Sequence, residues 1–383
     1  MADPISANTL ASVPATRFRA GDPVPWFRLP CGDQPEFSLA TVAGRYIVLS
    51  FFGSAAAVPV QRELQALLRH RALFDDDTVM FFGVSADPRD ESERRIRPSV
   101  PGVRFFRDYD RQVSQAFGAS DDAPLTVVLD PTLRVLACLR YDDPRGHAAA
   151  IVKLLRALPP PAMHARIEMT APVLVVPRVF EPGFCRALIE LYEKNGGAES
   201  GFMRETGGRT VLMADHSHKR RSDFAIQDKE TCDAALSRIK RRLLPEIFKA
   251  FQYRATRMER YIVACYDAGS GGFFKPHRDN TSKGTAHRRF AVTLNLNADE
   301  YGGGELRFPE YGTRLFKPPT GGAVVFSCTL LHEAMPVTAG KRYAFLPFLY
   351  DEAGAASRER NNEFLGDNIE PYFANKKPEP ATA

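Results

Sequence analysis

A chain of 383 residues is longer than one typical domain and fits two; with 44% hydrophobic and 25% charged residues, each half can bury its own core. Its 51 basic and 46 acidic residues are spread along the chain for a formal net charge of +5. The absence of a long basic stripe argues against a nucleic-acid-binding protein. No stretch approaches the roughly 20 apolar residues that span a bilayer, so no membrane association is expected. The first residues lack the apolar core of a signal peptide. Six cysteines (31, 138, 185, 232, 265 and 328) are scattered without paired spacing. Reduced thiols and a cytoplasmic location are therefore expected.

Taken in order, the first half alternates strand-like and helix-like patterns. Tyr46 to Phe52 is a continuous apolar run of strand length, as a sheet covered on both faces requires. A helical pattern runs from Pro59 to Leu73, followed by a second buried run, Thr78 to Val84. A charged helix (Asp90 to Arg97), strand-like runs at Val103 to Phe106, Leu125 to Leu129 and Val135 to Tyr141, and an amphipathic helix from Ala148 to Leu158 complete the region. This alternation predicts an α/β sandwich. The run Leu158-Pro-Pro-Pro-Ala162 cannot continue a helix and reads as a stiff linker.

The second half opens with a strand-like Val173 to Val176, a helix near Pro182 to Lys194, and one long amphipathic helix, Lys229 to Phe251. From Met258 onward, short strand-like runs are punctuated by Gly, Pro and Asn, as in an all-β sandwich or barrel. The expected boundaries are an irregular N-terminus (1–17), a first domain (18–158), a Pro-rich linker (159–171), a second domain (172–351) and a polar, irregular tail (352–383). The densest basic run, His218-Lys219-Arg220-Arg221, reads as a solvated loop or a substrate contact.

Chemistry concentrates in Tyr266-Asp-Ala-Gly-Ser-Gly-Gly-Phe-Phe-Lys-Pro-His277-Arg-Asp279. A His and an Asp two positions apart on a strand project from one face and can reach one ion. His332, just after the apolar run Gly322 to Phe326, supplies a third ligand from a distant strand. Two imidazoles and one carboxylate form the facial set of non-haem Fe(II) oxygenases, although the same ligands also suit Zn(II). Arg342, ten residues beyond His332, favours iron. Its guanidinium can grip the far carboxylate of 2-oxoglutarate by two parallel hydrogen bonds. His277, Asp279, His332 and Arg342 are thus the expected catalytic set, with Fe(II), 2-oxoglutarate and O2 as cofactors and ascorbate as a candidate auxiliary.

On the segments ACYDAGSGGFFKPHRDN (264–280), LNLNADEYGGGELRF (294–308) and LLHEAMPVTAGKRYAF (330–345), the chain resembles the prolyl 4-hydroxylases, the hypoxia-sensing type most. The likeness extends upstream to Pro172. It implies a double-stranded β-helix (jelly roll) with supporting helices on one side. It also implies that Tyr266 helps hold the 2-oxoglutarate carboxylate beside Arg342, that Asn295 lies near the cosubstrate, and that Arg221 contacts substrate. Phe274 stands where many relatives carry Tyr, and one extra residue separates Tyr266 from His277. The presence of Asp279 favours hydroxylation over halogenation.

GDPVPWFRLPCGD (21–33) and Ala123 to Asp130 resemble a peroxiredoxin-like thioredoxin fold, with Pro124 as its expected cis-proline. Such proteins carry their reactive Cys at the start of the helix that follows the first buried strand, where the helix terminus lowers the thiol pKa. This chain reads Gly53-Ser-Ala-Ala-Ala-Val-Pro-Val60 there, without a cysteine. Cys31 and Cys138 read as passive small residues. The first domain is expected to be a silent redoxin fold that docks substrate, mediates dimerisation or is vestigial.

The leading functional expectation is a hydroxylase of an amino-acid side chain, first a prolyl residue in a peptide or protein, releasing succinate and CO2. Hydroxylation of a free amino acid or small natural-product intermediate is the alternative within that class. A non-turnover sensor or scaffold that binds iron and 2-oxoglutarate is the alternative outside it. Oligomeric state and interdomain geometry are left open.

Overall fold

The computed structural model describes residues 18–141 and 146–374; the expected irregular N-terminus (1–17) and the end of the tail lie outside them. Two compact units meet in the chain between Ala171 and Pro172, the short segment Pro309–Thr313 aside.

The first unit is built on a seven-stranded sheet among the described residues, in the order Gln34–Ser38, Arg28–Cys31, Val103–Arg107, Val79–Ser85, Tyr46–Gly53, Leu125–Leu129, Val135–Arg140. The three strands Val103–Arg107, Val79–Ser85 and Tyr46–Gly53 run parallel, and Leu125–Leu129 and Val135–Arg140 continue antiparallel. Tyr46–Phe52 and Val79–Ser85 are buried residue after residue, as strands covered on both faces must be. Val60, Leu64 and Leu67 of the helix Val58–Leu68, with Ile151, Val152 and Leu155 of His147–Ala157, close one side of the core. This is the expected thioredoxin-like α/β fold. Two local expectations fail. The charged helix near Asp90 is only Arg89–Ser92, and the cis peptide among the described residues is Val100–Pro101, leaving Pro124 trans.

The second unit is a jelly-roll sandwich. Its larger sheet carries, in order, Arg257–Glu259, Phe348–Tyr350, Phe290–Asn295, Lys341–Phe345, Ile262–Asp267, Ser222–Ala225 and Ala198–Glu199, with Ala323–Ser327 also paired to Phe290–Asn295. The smaller sheet runs Lys219–Arg220, Phe273–His277, His332–Ala334, Leu306–Arg307, Leu315–Phe316. Helices Pro182–Asn195 and Lys229–Arg242 bury Leu188, Ile189, Ala235 and Ile239 against Val263, Leu294 and Phe345 of the larger sheet.

The expected single helix from Lys229 to Phe251 is two, Lys229–Arg242 and Leu244–Phe251. Pro245 sits in the first turn of the second, where its missing N–H is harmless, and it disfavours helical backbone in the residue before it. The tail is not irregular throughout. Asp351 accepts from the Gly354 N–H and starts a helix, Glu352–Arg360.

Candidate metal and cosubstrate site

Three strands build the centre of the site. Phe273–His277 is paired on one side with Lys219–Arg220 and on the other with His332–Ala334, and the register places His277 opposite His332. The strand stops at His277, so Asp279 lies in the following turn rather than on the strand. Its N–H donates to the Cys328 carbonyl at 2.9 Å, which ties that turn to the end of Ala323–Ser327. One ligand-capable atom from each of His277, Asp279 and His332 falls within 4.8 Å of the others.

The two imidazoles are oriented from behind. His277 Nδ1 faces the Lys275 carbonyl at 2.8 Å and His332 Nδ1 faces that of Leu330 at 3.0 Å. A ring that donates from Nδ1 presents the Nε2 lone pair forward. His277 Nε2 stands 3.7 Å from one Asp279 oxygen, and His332 Nε2 stands 3.3 Å from the other. Burial, then the neighbouring His332, holds the His277 pKa well below the usual imidazole value. The ring is therefore neutral, the form that ligates a cation. Phe274 stacks on it with centroids 3.5 Å apart and planes 19° from parallel.

Arg342 belongs to the larger sheet, on Lys341–Phe345, directly across from Tyr266. Only 2% of it is exposed, yet neither its Nε nor its Nη1 meets an acceptor. Tyr301 Oη and Asn295 Oδ1 are likewise buried without a partner. Burial raises the Tyr301 pKa against the pull of the nearby Arg342 charge. The two partnerless Arg342 nitrogens cost on the order of 1–3 kcal/mol each in a dry site, and an anion relieves them. Gly304 makes room for this arrangement: at φ +69° it would set a Cβ 2.9 Å from Arg342 Cδ. The donor set thus fits a divalent metal with open positions, and the partnerless guanidinium fits a carboxylate.

Tyr266 lies under Arg342, with the guanidinium carbon 4.9 Å from its ring centroid, and its hydroxyl is 3.3 Å from Arg221 Nη1. Asn295 spends its amide on the Pro318 carbonyl at 2.9 Å. Arg221, expected as a substrate contact, is buried and gives Nη2 to Asp223 at 2.6 Å and to Ser200 at 3.0 Å. The basic run around it is no solvated loop. Lys219 is also buried, because its short strand pairs with Phe273–His277. Burial, with Arg221 next, draws the Lys219 pKa down to about 6.

Tyr301 and Lys219 escaped the sequence reading. Tyr301 sits in an irregular ADEYGGGEL stretch with no periodicity to assign it a face, and Lys219 looked like one charge in a basic run.

The family described as the 2OG-Fe(II) oxygenase superfamily matches residues 261–350, and the AhpC/TSA family matches residues 20–137. A solved Pseudomonas putida prolyl-4-hydroxylase is 19% identical, covering 48% of this chain and 94% of its own, at a TM-score of 0.36. A Synechococcus PKHD-type hydroxylase is 29% identical over 31% of this chain and 54% of its own length. The chain thus spans about half the length of that relative. It spans more of a PKHD-type hydroxylase from Xanthomonas campestris pv. campestris, 30% identical over 45% of this chain and 75% of that protein. At that identity and coverage, the chain belongs to the PKHD-type hydroxylase family.

Proposed function

We propose that the second unit is an Fe(II)- and 2-oxoglutarate-dependent dioxygenase that hydroxylates an amino-acid side chain, a prolyl residue of a peptide or protein. One observation carries the reading: a centre of two imidazoles and one carboxylate shares a sandwich with a buried guanidinium whose Nε and Nη1 meet no acceptor. The first suits Fe(II) while leaving positions free, and the second suits the far end of a dicarboxylate. Iron and 2-oxoglutarate, when bound there, supply the oxidising power that puts one oxygen of O2 into a C–H bond while 2-oxoglutarate becomes succinate and CO2.

The chain's own residues do the positioning. His277 and His332 offer Nε2 because backbone carbonyls hold their Nδ1 atoms. Arg342, flanked by Tyr301 and Asn295, takes the carboxylate, and Tyr266 forms the apolar floor beneath the guanidinium. Phe202 and His218, both half-buried, pack against Phe274 beside His277 and offer flat surfaces to a compact ring. That surface is what favours a prolyl side chain within a peptide.

The first unit is proposed to be non-catalytic, docking substrate or pairing chains. Gly53–Val60 has no thiol, and thiol–disulfide chemistry starts from a thiolate.

The test is succinate release from anaerobically purified protein given Fe(II), 2-oxoglutarate and air, with proline-containing peptides added in turn. Stimulation by such a peptide, with a mass gain of one oxygen on it, supports the reading. Succinate that no peptide stimulates, but a free amino acid does, replaces the substrate class. No succinate under any condition defeats the enzyme assignment.

A further inference from the structure

We propose that Lys219 is a positioning residue for His277, acting through the Phe274 ring. This rests on reading His277 as a metal ligand. Lys219 lies directly across the strand pair from Phe274, and its Nζ stands over that ring, 4.9 Å from the centroid. The same ring stacks on the His277 imidazole at 3.5 Å. The far end of Lys219 is locked, since Nζ donates to the Ser200 hydroxyl at 2.7 Å and to the Gly201 carbonyl at 2.6 Å. Two N–H bonds use both donors of an uncharged amine.

An imidazole ligand needs its plane fixed as well as its tautomer. The Lys275 carbonyl sets the tautomer of His277, but one hydrogen bond leaves the ring free to rock about it. The stacked Phe274 removes that freedom. Phe274 in turn would shift if the chain beneath it were loose. A buried lysine is an unexpected filler here, because an apolar side chain of equal length would cost less to desolvate. What the amine adds is the pair of bonds to Ser200 and Gly201, which lead straight into the hairpin Phe202–Thr206 and Arg209–Met213. The position of that hairpin and the plane of His277 are thereby coupled through one side chain.

The test uses Mn(II) binding to the full-length protein, followed by calorimetry and by the spectrum of the bound ion, without substrate. Lys219→Met is expected to weaken Mn(II) binding about tenfold, the lower end for residues that support a ligand. Phe274→Leu is expected to do the same, and the double variant to be no weaker than Phe274→Leu alone, since both act on one ring. Wild-type affinity in a folded Lys219→Met, or losses that multiply in the double variant, would overturn the proposal, whatever happens to the melting temperature. If Lys219→Met does not fold, Lys219→Gln, which keeps two donors on a shorter stem, carries the test with a smaller loss of at least about threefold. His332→Ala separates the two readings. If it leaves Mn(II) binding intact, the metal site itself is wrong; if it abolishes binding while Lys219→Met does not alter it, only the role of Lys219 fails.

Discussion

The redoxin-thiol position of the first unit and the surroundings of Arg342 in the second treat their buried polar atoms in opposite ways. In the first, the turn after Tyr46–Gly53, where a redoxin would hold its thiolate, is closed on itself. Asp90, fully buried, accepts from the Ala55 N–H at 2.8 Å and the Ser85 hydroxyl at 2.7 Å, and Ser54 donates to Asp87 at 2.8 Å. Burial pushes the Cys31 and Cys138 thiols up, away from reactivity. In the second unit, Arg342, Tyr301 and Asn295 are just as buried and leave atoms without partners. Polar groups that satisfy each other hold a fold together. Groups left open in a dry place, against their own cost, are kept for something that arrives from outside.

That contrast can be broken at several points. Asp279→Ala removes the carboxylate ligand and should lower succinate formation by more than about 100-fold, since even supporting residues behind ligands cost 10–100-fold; coupled turnover in this variant would end the metal assignment. Arg342→Leu should raise the KM for 2-oxoglutarate by about two orders of magnitude, from the roughly 2–5 kcal/mol lost when one partner of a buried charge pair is truncated. The same change should not lower the melting temperature of the cosubstrate-free protein, because it deletes an uncompensated buried charge. A lower melting temperature with an unchanged KM would mean that Arg342 is structural.

Glu259 sharpens the comparison from the other side, as a buried charge in the second unit that is fully spent. Its carboxylate meets His287 at 2.5 Å, Arg288 at 2.5 and 3.1 Å, and Arg358 at 3.6 Å. Burial raises its pKa, but Arg288, the His287 hydrogen bond and Arg358 outweigh it and hold it well below the usual glutamate range. A depressed folded-state pKa gives stability that is complete above the unfolded value and is lost as pH falls below about 4.5. Glu259→Gln should cost about 3–5 kcal/mol at neutral pH and flatten that acid limb in thermal melts; an unchanged acid limb would remove Glu259 as its source. The smallest effect belongs to the first unit. Asp90→Ala should destabilise it by about 1–3 kcal/mol, because the Ala55 N–H and the Ser85 hydroxyl lose their acceptor, with no change in succinate formation. Lost turnover there would show that the first unit takes part in the reaction.

Sequence pattern alone was enough wherever one physical constraint acted on contiguous residues. The doubly buried strands Tyr46–Gly53 and Val79–Ser85 were legible because a sheet covered on both faces admits only apolar runs. The missing thiol between Gly53 and Val60 needed no structure at all. The quartet His277, Asp279, His332 and Arg342 was legible because few other chemistries use that set in that order. The break at Leu243–Leu244 was missed although Pro245 announced it, because the amphipathic period runs on across the proline.

Only the tertiary structure could decide which charges are buried and which buried atoms remain open. Lys219 and Arg220 are neighbours in one basic run, yet strand alternation sends the first inward over Phe274 and leaves the second exposed. Arg221 and Arg342 look alike as letters, but one has given its Nη donors to Asp223, Ser200 and Tyr266 while the other keeps Nε and Nη1 unpaired. Ser200 and Tyr266 lie 21 and 45 residues from Arg221 in the chain, so burial and hydrogen-bond satisfaction belong to the packed molecule and not to any short window of its sequence.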